Sequence, residues 1–292
     1  MKFWWRNQPP LWSWPLWPAS LAWRAFARGH AGVKVAAPVI SVGNIVVGGA
    51  GKTPVTMFLA AKLSAHRPAV LTRGYAGGDE AELMRRRGFS VYVGADRVAS
   101  ARRAIADGAG VLILDDGLQH RALQRDLDVI VADASNPLGN GHVMPMGPLR
   151  ELPSSLRRVQ RGLLWLTHCE LPRHPRVSEL ARFPVVESRY SARADLRGKR
   201  VFAFAGIARP EHFQRTLLDL GAEIAGSRWF PDHHRFTQSQ LAQLRRTDAL
   251  LVTTEKDLAR IGDPAGIVAV PIDVEIVRGA NALDEALREI GL

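Results

Sequence analysis

The stretch Val39-Ile-Ser-Val-Gly-Asn-Ile-Val-Val-Gly-Gly-Ala-Gly-Lys-Thr53 decides the fold. Val39 to Val42 is an apolar run of strand character, a glycine-rich turn follows, and from Val55 to Leu63 apolar side chains recur at helical spacing. Strand, glycine turn and helix in that order form the layout of a phosphate-binding loop. Gly48, Gly49 and Gly51, with Ala50 among them, let the backbone curl so that its N–H groups point inward. The helix beginning at Lys52 adds the positive end of its dipole, Lys52 adds a mobile cation, and Thr53 adds a hydroxyl suited to Mg²⁺. The strict G-x-x-x-x-G-K-[ST] spacing is not met, because Val46 stands where the first glycine belongs. The reading therefore rests on the strand before the turn and the helix after it, against the alternative of a flexible turn with an incidental Lys-Thr.

Outward from this stretch, as far as about Asp133, short apolar runs alternate with helical ones. Ala69 to Thr72, Val91 to Val93, Val111 to Leu114 and Val129 to Val131 read as strands, with helices over Thr53 to Ala65 and from about Asp96 to Asp107. Strands separated by helices predict βαβ units and a mostly parallel sheet covered on both faces. Ligands of such sheets sit at the carboxyl ends of the strands. The run Val111-Leu-Ile-Leu-Asp-Asp-Gly-Leu-Gln-His120 ends a strand in two carboxylates there, Asp115 and Asp116. A strand closing on an Asp-Gly turn is the plain alternative, but beside a Gly-Lys-Thr loop the pair is the element that organises Mg²⁺ for phosphoryl transfer.

The loop Thr72-Arg-Gly-Tyr-Ala-Gly-Gly-Asp-Glu80 presents Asp79 and Glu80 at the start of a predicted helix, Ala81 to Arg86, as a general base or as a helix cap. Asn136 to Pro153 is a long Gly- and Pro-rich connection whose Arg150 is either a phosphate clamp or a surface arginine. After Leu163 to Leu166 the alternation restarts with Val185-Val186, Val201 to Phe204, a helix near Pro210 to Leu218, and Leu250 to Val252. This predicts a second, smaller α/β domain over 166–292 after a core domain over 31–165. In it, Phe230-Pro-Asp-His-His-Arg-Phe236 pairs Asp232 with His233 as a tuned imidazole or as surface loop residues, and Thr254-Glu-Lys-Asp257 reads first as a helix cap.

Composition narrows the partners. There are 39 Lys+Arg against 28 Asp+Glu, for a formal charge of +11, which predicts an anionic partner: nucleotide, nucleic acid, anionic lipid or phosphorylated substrate. The arginine runs at 85–87, 102–103 and 157–158 read singly as solvated helix faces. Cys169 alone excludes an intrachain disulfide framework. The first thirty residues hold Trp4, Trp5, Trp12, Trp14, Trp17 and Trp23, six of the eight tryptophans, which a soluble core does not require. With Pro18 as first helical residue, Ala19, Ala22, Trp23, Phe26 and Ala27 share one face and Arg24 and Arg28 the other. That is the outline of an amphipathic helix lying in a membrane surface, or of an arm docked on the protein's own core. No apolar run reaches the ~18–20 residues of a transmembrane span, and prolines and Arg24 interrupt any secretory signal.

Taken together, Gly43-Asn44 with Gly48 to Thr53, Arg73-Gly-Tyr75, Gly78-Asp-Glu80, Gly94-Ala-Asp-Arg97, Asp115 to His120, Gly147 to Arg150, Asp232-His-His234 and Thr254 to Asp257 resemble the tetraacyldisaccharide 4′-kinases of Gram-negative lipid A synthesis. The resemblance runs from about residue 10 to the C-terminus. It implies a P-loop core domain, a smaller α/β domain and an N-terminal membrane-associated helix. It also implies transfer of the γ-phosphate of ATP to the 4′-hydroxyl of an acylated glucosamine disaccharide 1-phosphate, with Mg²⁺. The place implied is the cytoplasmic face of the bacterial inner membrane, where the protein is peripheral, binds an anionic membrane surface and needs no nucleic acid. The resemblance puts the ATP-binding loop on Gly48, Gly49, Ala50, Gly51, Lys52 and Thr53, and the metal on Thr53, Asp115 and Asp116. Asp79 becomes the catalytic base, with Glu80 beside it and His233 reaching it across a cleft from the second domain, while Gln119 and Arg150 line the site. Three departures stand out: the segment from Gly74 to Asp79 is short, Ala81 replaces a usual proline, and Leu118 replaces a usual phenylalanine. A nucleotide-switched binding module would use the same loop. It would not need a base for an alcohol, so an Asp79–His233 pair favours the kinase.

Overall fold

The structure, a computed structural model, describes residues 2–6, 8–20, 32–74, 79–207 and 209–292. Along the chain the elements are β1 (Val39–Gly43), α1 (Lys52–Lys62), β2 (Pro68–Thr72), α2 (Asp79–Arg86), β3 (Ser90–Val93), α3 (Arg97–Ala106), β4 (Val111–Asp115), β5 (Leu127–Asp133), β6 (Gly162–Thr167) and β7 (Val185–Ala192). There follow β8 (Arg200–Ala205), α4 (Pro210–Asp219), β9 (Glu223–Trp229), α5 (Gln238–Leu244), β10 (Leu250–Thr254), α6 (Glu255–Leu258), β11 (Ile267–Val270), β12 (Ile272–Arg278) and α7 (Ala280–Arg288). Two sheets result. One has eight strands in the order β12-β7-β6-β5-β1-β4-β2-β3, and the other has four in the order β11-β10-β8-β9.

In the larger sheet β1 lies between β4 and β5, parallel to both. Every residue of β1, β4 and β5 is buried, as expected of strands covered on both faces. On one side Val39, Ala69, Leu71, Leu112 and Leu114 pack with Ala101 and Ala104 of α3, a helix capped by Asp96 accepting from the amides of Val98 and Ala99. Each large side chain so buried contributes roughly 1.5–3 kcal/mol. The smaller sheet is parallel throughout. Its core joins Val201, Ala203, Phe213, Leu217 and Val252 on one side, and Phe204, Leu241, Leu244 and Leu251 on the other.

The division of the chain is not the contiguous one expected near residue 165. One compact unit is Met1–Arg73, Phe89–Arg189 and Val274–Leu292, and the other is Gly74–Gly88 with Tyr190–Asp273. The strand β7, read as the start of a second domain, and β6, on which the boundary fell, extend the first sheet beyond β5. Trp165 on β6 is wholly buried there and donates its indole N–H to Ser188 Oγ of β7 at 2.9 Å. The helix α2 belongs with the second unit, because Arg87 just beyond it forms ion pairs with Glu255 and Asp273 and donates to the Ile272 carbonyl. Arg87 is therefore no solvated helix face, and Arg158, paired with Glu151 at 2.7 Å, is not one either.

At the N-terminus, Lys2–Trp5 and Leu11–Leu16 form short 3-10 turns. Trp4 donates to the Pro145 carbonyl at 3.0 Å, Asn140 N to the Trp4 carbonyl at 2.8 Å and Asn136 Nδ2 to the Trp5 carbonyl at 3.2 Å, so these turns are fastened to the Gly- and Pro-rich connection. Trp12, Trp14 and Trp17 remain exposed. Most of the amphipathic helix expected from Pro18 falls at 21–31, outside the described residues.

Candidate functional site

β1 ends at Gly43, where a Cβ would come within 2.5 Å of Leu118, so the strand end accepts the turn after β4 only with glycine there. The chain then reaches the glycine turn. Gly48 and Gly51 have φ of 100° and 84°, a region that favours glycine, and Gly51 sits directly before α1. The Ala50 amide donates to the Gly48 carbonyl, and the Ala50 carbonyl accepts from Thr167 at the end of β6. Trp5 borders the loop, its ring 3.6 Å from where a Gly48 Cβ would stand. The first residues of α1, Lys52 and Thr53, are half-buried, and Lys52 Nζ donates to Asn44 Oδ1 at 3.4 Å. The other amide atom of Asn44, Nδ2, is a buried donor that meets no acceptor among the described residues.

The register of β1 and β4 sets Asp115 opposite Val42, beside the start of this loop. Asp115 is buried and accepts from Thr56 of α1 at 3.0 Å. Asp116 follows in a left-handed conformation, φ 55°, which aspartate tolerates better than most residues. Arg150 Nη1 donates to both its oxygens, at 2.7 and 2.8 Å, and Lys52 lies 3.6 Å away. Burial alone would raise the Asp116 carboxyl, but Lys52 and Arg150 outweigh it and hold the group below the usual carboxylate range. Arg150 is delivered by the backbone: Val47 N donates to the Pro148 carbonyl and Arg150 N to the Ile45 carbonyl, tying the long connection to the segment before the glycines. Gln119 orients that guanidinium. Its Oε1 accepts from Arg150 at 3.1 Å while its Nε2 donates to the Asn44 carbonyl and to Glu151.

In the first unit the structure thus brings together Lys52, Asp115, Asp116, Gln119 and Arg150, with Thr53 next to Lys52. Asn44, Thr56 and Glu151 join them without having been singled out. Thr56 lies one helical turn after Lys52, the spacing at which two side chains share a helix face.

The second unit holds Asp79, Glu80 and His233. α2 opens at Asp79, with Asp79, Glu80 and Glu82 in its first turn and Arg85 and Arg86 in its last, a distribution that complements the helix dipole. His233 has φ 60°, its N–H donating to Asp232 Oδ1 and to the Gly206 carbonyl, each at 3.0 Å. Of the four non-glycine residues with positive φ among those described, Asp116 and His233 are therefore two, and such backbone tends to persist where function holds it. His233 Nδ1 stands 3.6 Å from Asp79 Oδ2, outside hydrogen-bond distance. The direct partner of Asp79 is instead Arg260, whose Nε reaches Oδ2 at 2.5 Å. Lys256 pairs with Glu80 at 3.3 Å. His234 is structural: it stacks on Phe230 and bonds Gln240. The expected cap is present as well, with Thr254 accepting from the Asp257 amide and donating to its carboxylate. Arg260 escaped the sequence reading. Its only local signal was the Asp-x-x-Arg spacing from Asp257, which brings Arg260 back to that carboxylate in the turn after α6.

The family model described as tetraacyldisaccharide-1-P 4′-kinase, LpxK, matches residues 12–291. The chain is similar to the tetraacyldisaccharide 4′-kinase of Anaeromyxobacter dehalogenans strain 2CP-C, at 43% identity over 97% of this chain and 93% of that protein. It is also similar to that of Rhodospirillum centenum, at 42% identity over 86% and 83%. Among solved structures it resembles LpxK of Aquifex aeolicus in complex with ATP, with a TM-score of 0.80 at 26% identity over 97% of this chain and all of that one. With one family model spanning nearly the whole sequence and relatives this similar along their length, the chain belongs to the tetraacyldisaccharide 4′-kinase family.

Proposed function

We propose that this protein transfers the γ-phosphate of ATP to the 4′-hydroxyl of a tetraacyldisaccharide 1-phosphate, in the synthesis of lipid A. Beside the family likeness, the observation that carries this reading is the glycine turn at the end of β1 with Asp115 and Asp116 at the end of the adjacent β4. The loop amides from Gly48 to Thr53, the start of α1 and Lys52 supply positive charge for the β- and γ-phosphates. The buried Asn44 Nδ2 beside Lys52 is a donor in want of an acceptor, as a phosphate oxygen would be. The hydroxyl oxygen attacks the γ-phosphorus, the bond to the bridging oxygen breaks, ADP leaves, and Asp79 takes the hydroxyl proton.

The oxygen donors Thr53, Asp115 and Asp116 suit Mg²⁺, a hard cation that prefers carboxylate and hydroxyl oxygen. They would hold the ion, and Asp116 would share its oxygens between it and Arg150. When bound, Mg²⁺ neutralises charge on the phosphates. Arg150 and Lys52 offset the charge of Asp116, so the loop amides and the start of α1 still present positive charge to an anion. The exposed Trp12, Trp14 and Trp17 support an arm lying on an anionic membrane surface, at the cytoplasmic face of the inner membrane. No helix among the described residues is long and apolar enough to cross a membrane.

The test is transfer of label from ATP marked at the γ-phosphate to tetraacyldisaccharide 1-phosphate in detergent micelles with Mg²⁺. A labelled bis-phosphorylated lipid that disappears in Lys52→Ala is expected. Free phosphate alone, from folded protein with authentic acceptor, would overturn the reading in favour of a nucleotide-switched module.

A further inference from the structure

Asp79, His233 and Arg260 form one bonded group in the second unit, and the arginine stands where a direct aspartate–histidine bond was expected. The Arg260 side chain is only 3% exposed and every face of its guanidinium is engaged. Nη1 donates to the Gly206 carbonyl at 3.1 Å and to Asp257 Oδ1 at 3.0 Å, Nε donates to Asp79 Oδ2 at 2.5 Å, and Nη2 faces His233 Nδ1 at 3.2 Å. Asp257 is itself fixed by Thr254 and wholly buried, so the guanidinium is anchored at its far end before it meets Asp79 and His233.

A guanidinium has donors only. His233 Nδ1 must then accept, which places the imidazole proton on Nε2. The opposite tautomer would aim Nδ1–H at Asp79 across 3.6 Å, too far for a hydrogen bond, and set it against an Arg260 N–H at 3.2 Å. It would gain only Lys256 Nζ at 3.5 Å from Nε2. The closer contacts favour Nε2–H. On the carboxylate, Oδ2 is taken by Arg260, which leaves Oδ1 for the proton of an alcohol.

Resting on the kinase reading above, we infer that Arg260 is the positioning residue of the reaction. It fixes which oxygen of Asp79 acts as base and which tautomer His233 adopts, so His233 acts on Asp79 through this guanidinium and does not receive a proton from it at Nδ1. His233 thereby orients the group that orients the base.

The experiment uses the full-length enzyme and the micelle assay, with Arg260→Lys and Arg260→Met. Lysine keeps the charge that buried Asp257 needs, so that variant retains the fold even if methionine does not, but one ammonium cannot span Asp79, His233 and Asp257 together. Arg260→Lys is expected to lower kcat by ~10²-fold, the scale for a misplaced catalytic group. KM for ATP should stay unchanged, since the partners of Arg260 are Asp79, His233, Asp257 and Gly206, none of which is among the residues proposed to hold ATP. Nitrogen NMR of isotopically labelled histidine, with His233 assigned by its loss in His233→Gln, is expected to show neutral Nε2–H in the parent and a mixture of tautomers in the variant. A kcat within about threefold of the parent, or an unaltered His233 signal whatever the rate, overturns the inference. A parent enzyme that makes no phosphorylated lipid while its His233 signal is Nε2–H would sink the kinase reading and leave the tautomer assignment standing.

Discussion

Asp116 and Asp79 are both aspartates held by an arginine, yet the two pairs are built for different work. Arg150 sets one nitrogen against both oxygens of Asp116, and Lys52 adds a second cation. Arg260 sets Nε against one oxygen of Asp79 and spends its remaining donors on Gly206, Asp257 and His233. A carboxylate occupied on both oxygens is a charge element that balances cations. One occupied on a single oxygen keeps a lone pair for a proton. The number of oxygens the arginine covers therefore separates an electrostatic aspartate from a basic one where residue type does not.

The largest effect is expected at Asp79, the proposed base. Asp79→Asn preserves the shape and leaves an acceptor for Arg260 Nε, yet removes the basic oxygen, and kcat is expected to fall by ~10²–10⁴-fold, the range for general-base catalysis. Single-turnover kinetics with saturating ATP reads it directly. Turnover near that of the parent, with the fold intact by circular dichroism, would move the base elsewhere and dissolve the contrast with Asp116.

On the other side, Lys52→Ala removes a cation from both the loop and Asp116. A loss of ~10²–10³-fold in kcat is expected, the scale for one preorganised charge in a phosphoryl- or acyl-transfer site. Weaker ATP binding should accompany it, seen by titration calorimetry, whereas Asp79→Asn should leave ATP affinity alone. If both substitutions changed ATP affinity equally, the division of labour would be wrong.

The two regions also differ in how much of them the sequence reveals. The first unit announces itself locally: strands buried on both faces read as apolar runs, the glycine turn breaks them, and Asp115-Asp116 closes one run within the same pattern. What stayed hidden there depends on contacts far apart in sequence. Arg150 reaches Asp116 because 45–47 pairs with 148–150, and periodicity carries no trace of that pairing. Periodicity likewise finds β6 and β7 as strands but cannot say which sheet they join, so the chain looked divided near residue 165. The second unit is harder still. Residues 79–88 are bound into it by Arg87 with Glu255 and Asp273 and by Asp79 with Arg260, pairs separated by well over a hundred positions. Arg260 is one of 39 basic residues, and nothing local sets it apart beyond its spacing from Asp257.

A smaller effect tests the support given to Arg150. Gln119→Ala removes the acceptor at 3.1 Å and the link to the Asn44 carbonyl and Glu151, without touching the Asp116 contacts themselves. A residue that orients another typically costs ~10–100-fold when removed from around a metal ligand, so kcat/KM should fall toward the lower end of that range. The apparent Mg²⁺ requirement should rise with it. An unchanged Mg²⁺ dependence would mean that Arg150 holds Asp116 unaided.

The smallest effect concerns stability and depends on pH. Lys52 and Arg150 outweigh burial and hold the Asp116 carboxyl below its unfolded value. A group whose folded pKa is depressed contributes stability in full above the unfolded value, and that contribution disappears as the pH falls through the folded one. Arg150→Met strips away one of the two cations and leaves burial to act against Lys52 alone. At neutral pH the variant should lose about 1–3 kcal/mol of unfolding free energy, the cost of deserting a half-buried charged acceptor. Denaturant titrations repeated at successively lower pH should show the penalty shrinking once the ordinary carboxylate range is passed, because protonated Asp116 no longer needs its partner. A penalty that stayed constant on the acid side would trace the loss to the Gln119 contact or to packing of the arginine stem, and Asp116 would cease to be the charge element of the pair.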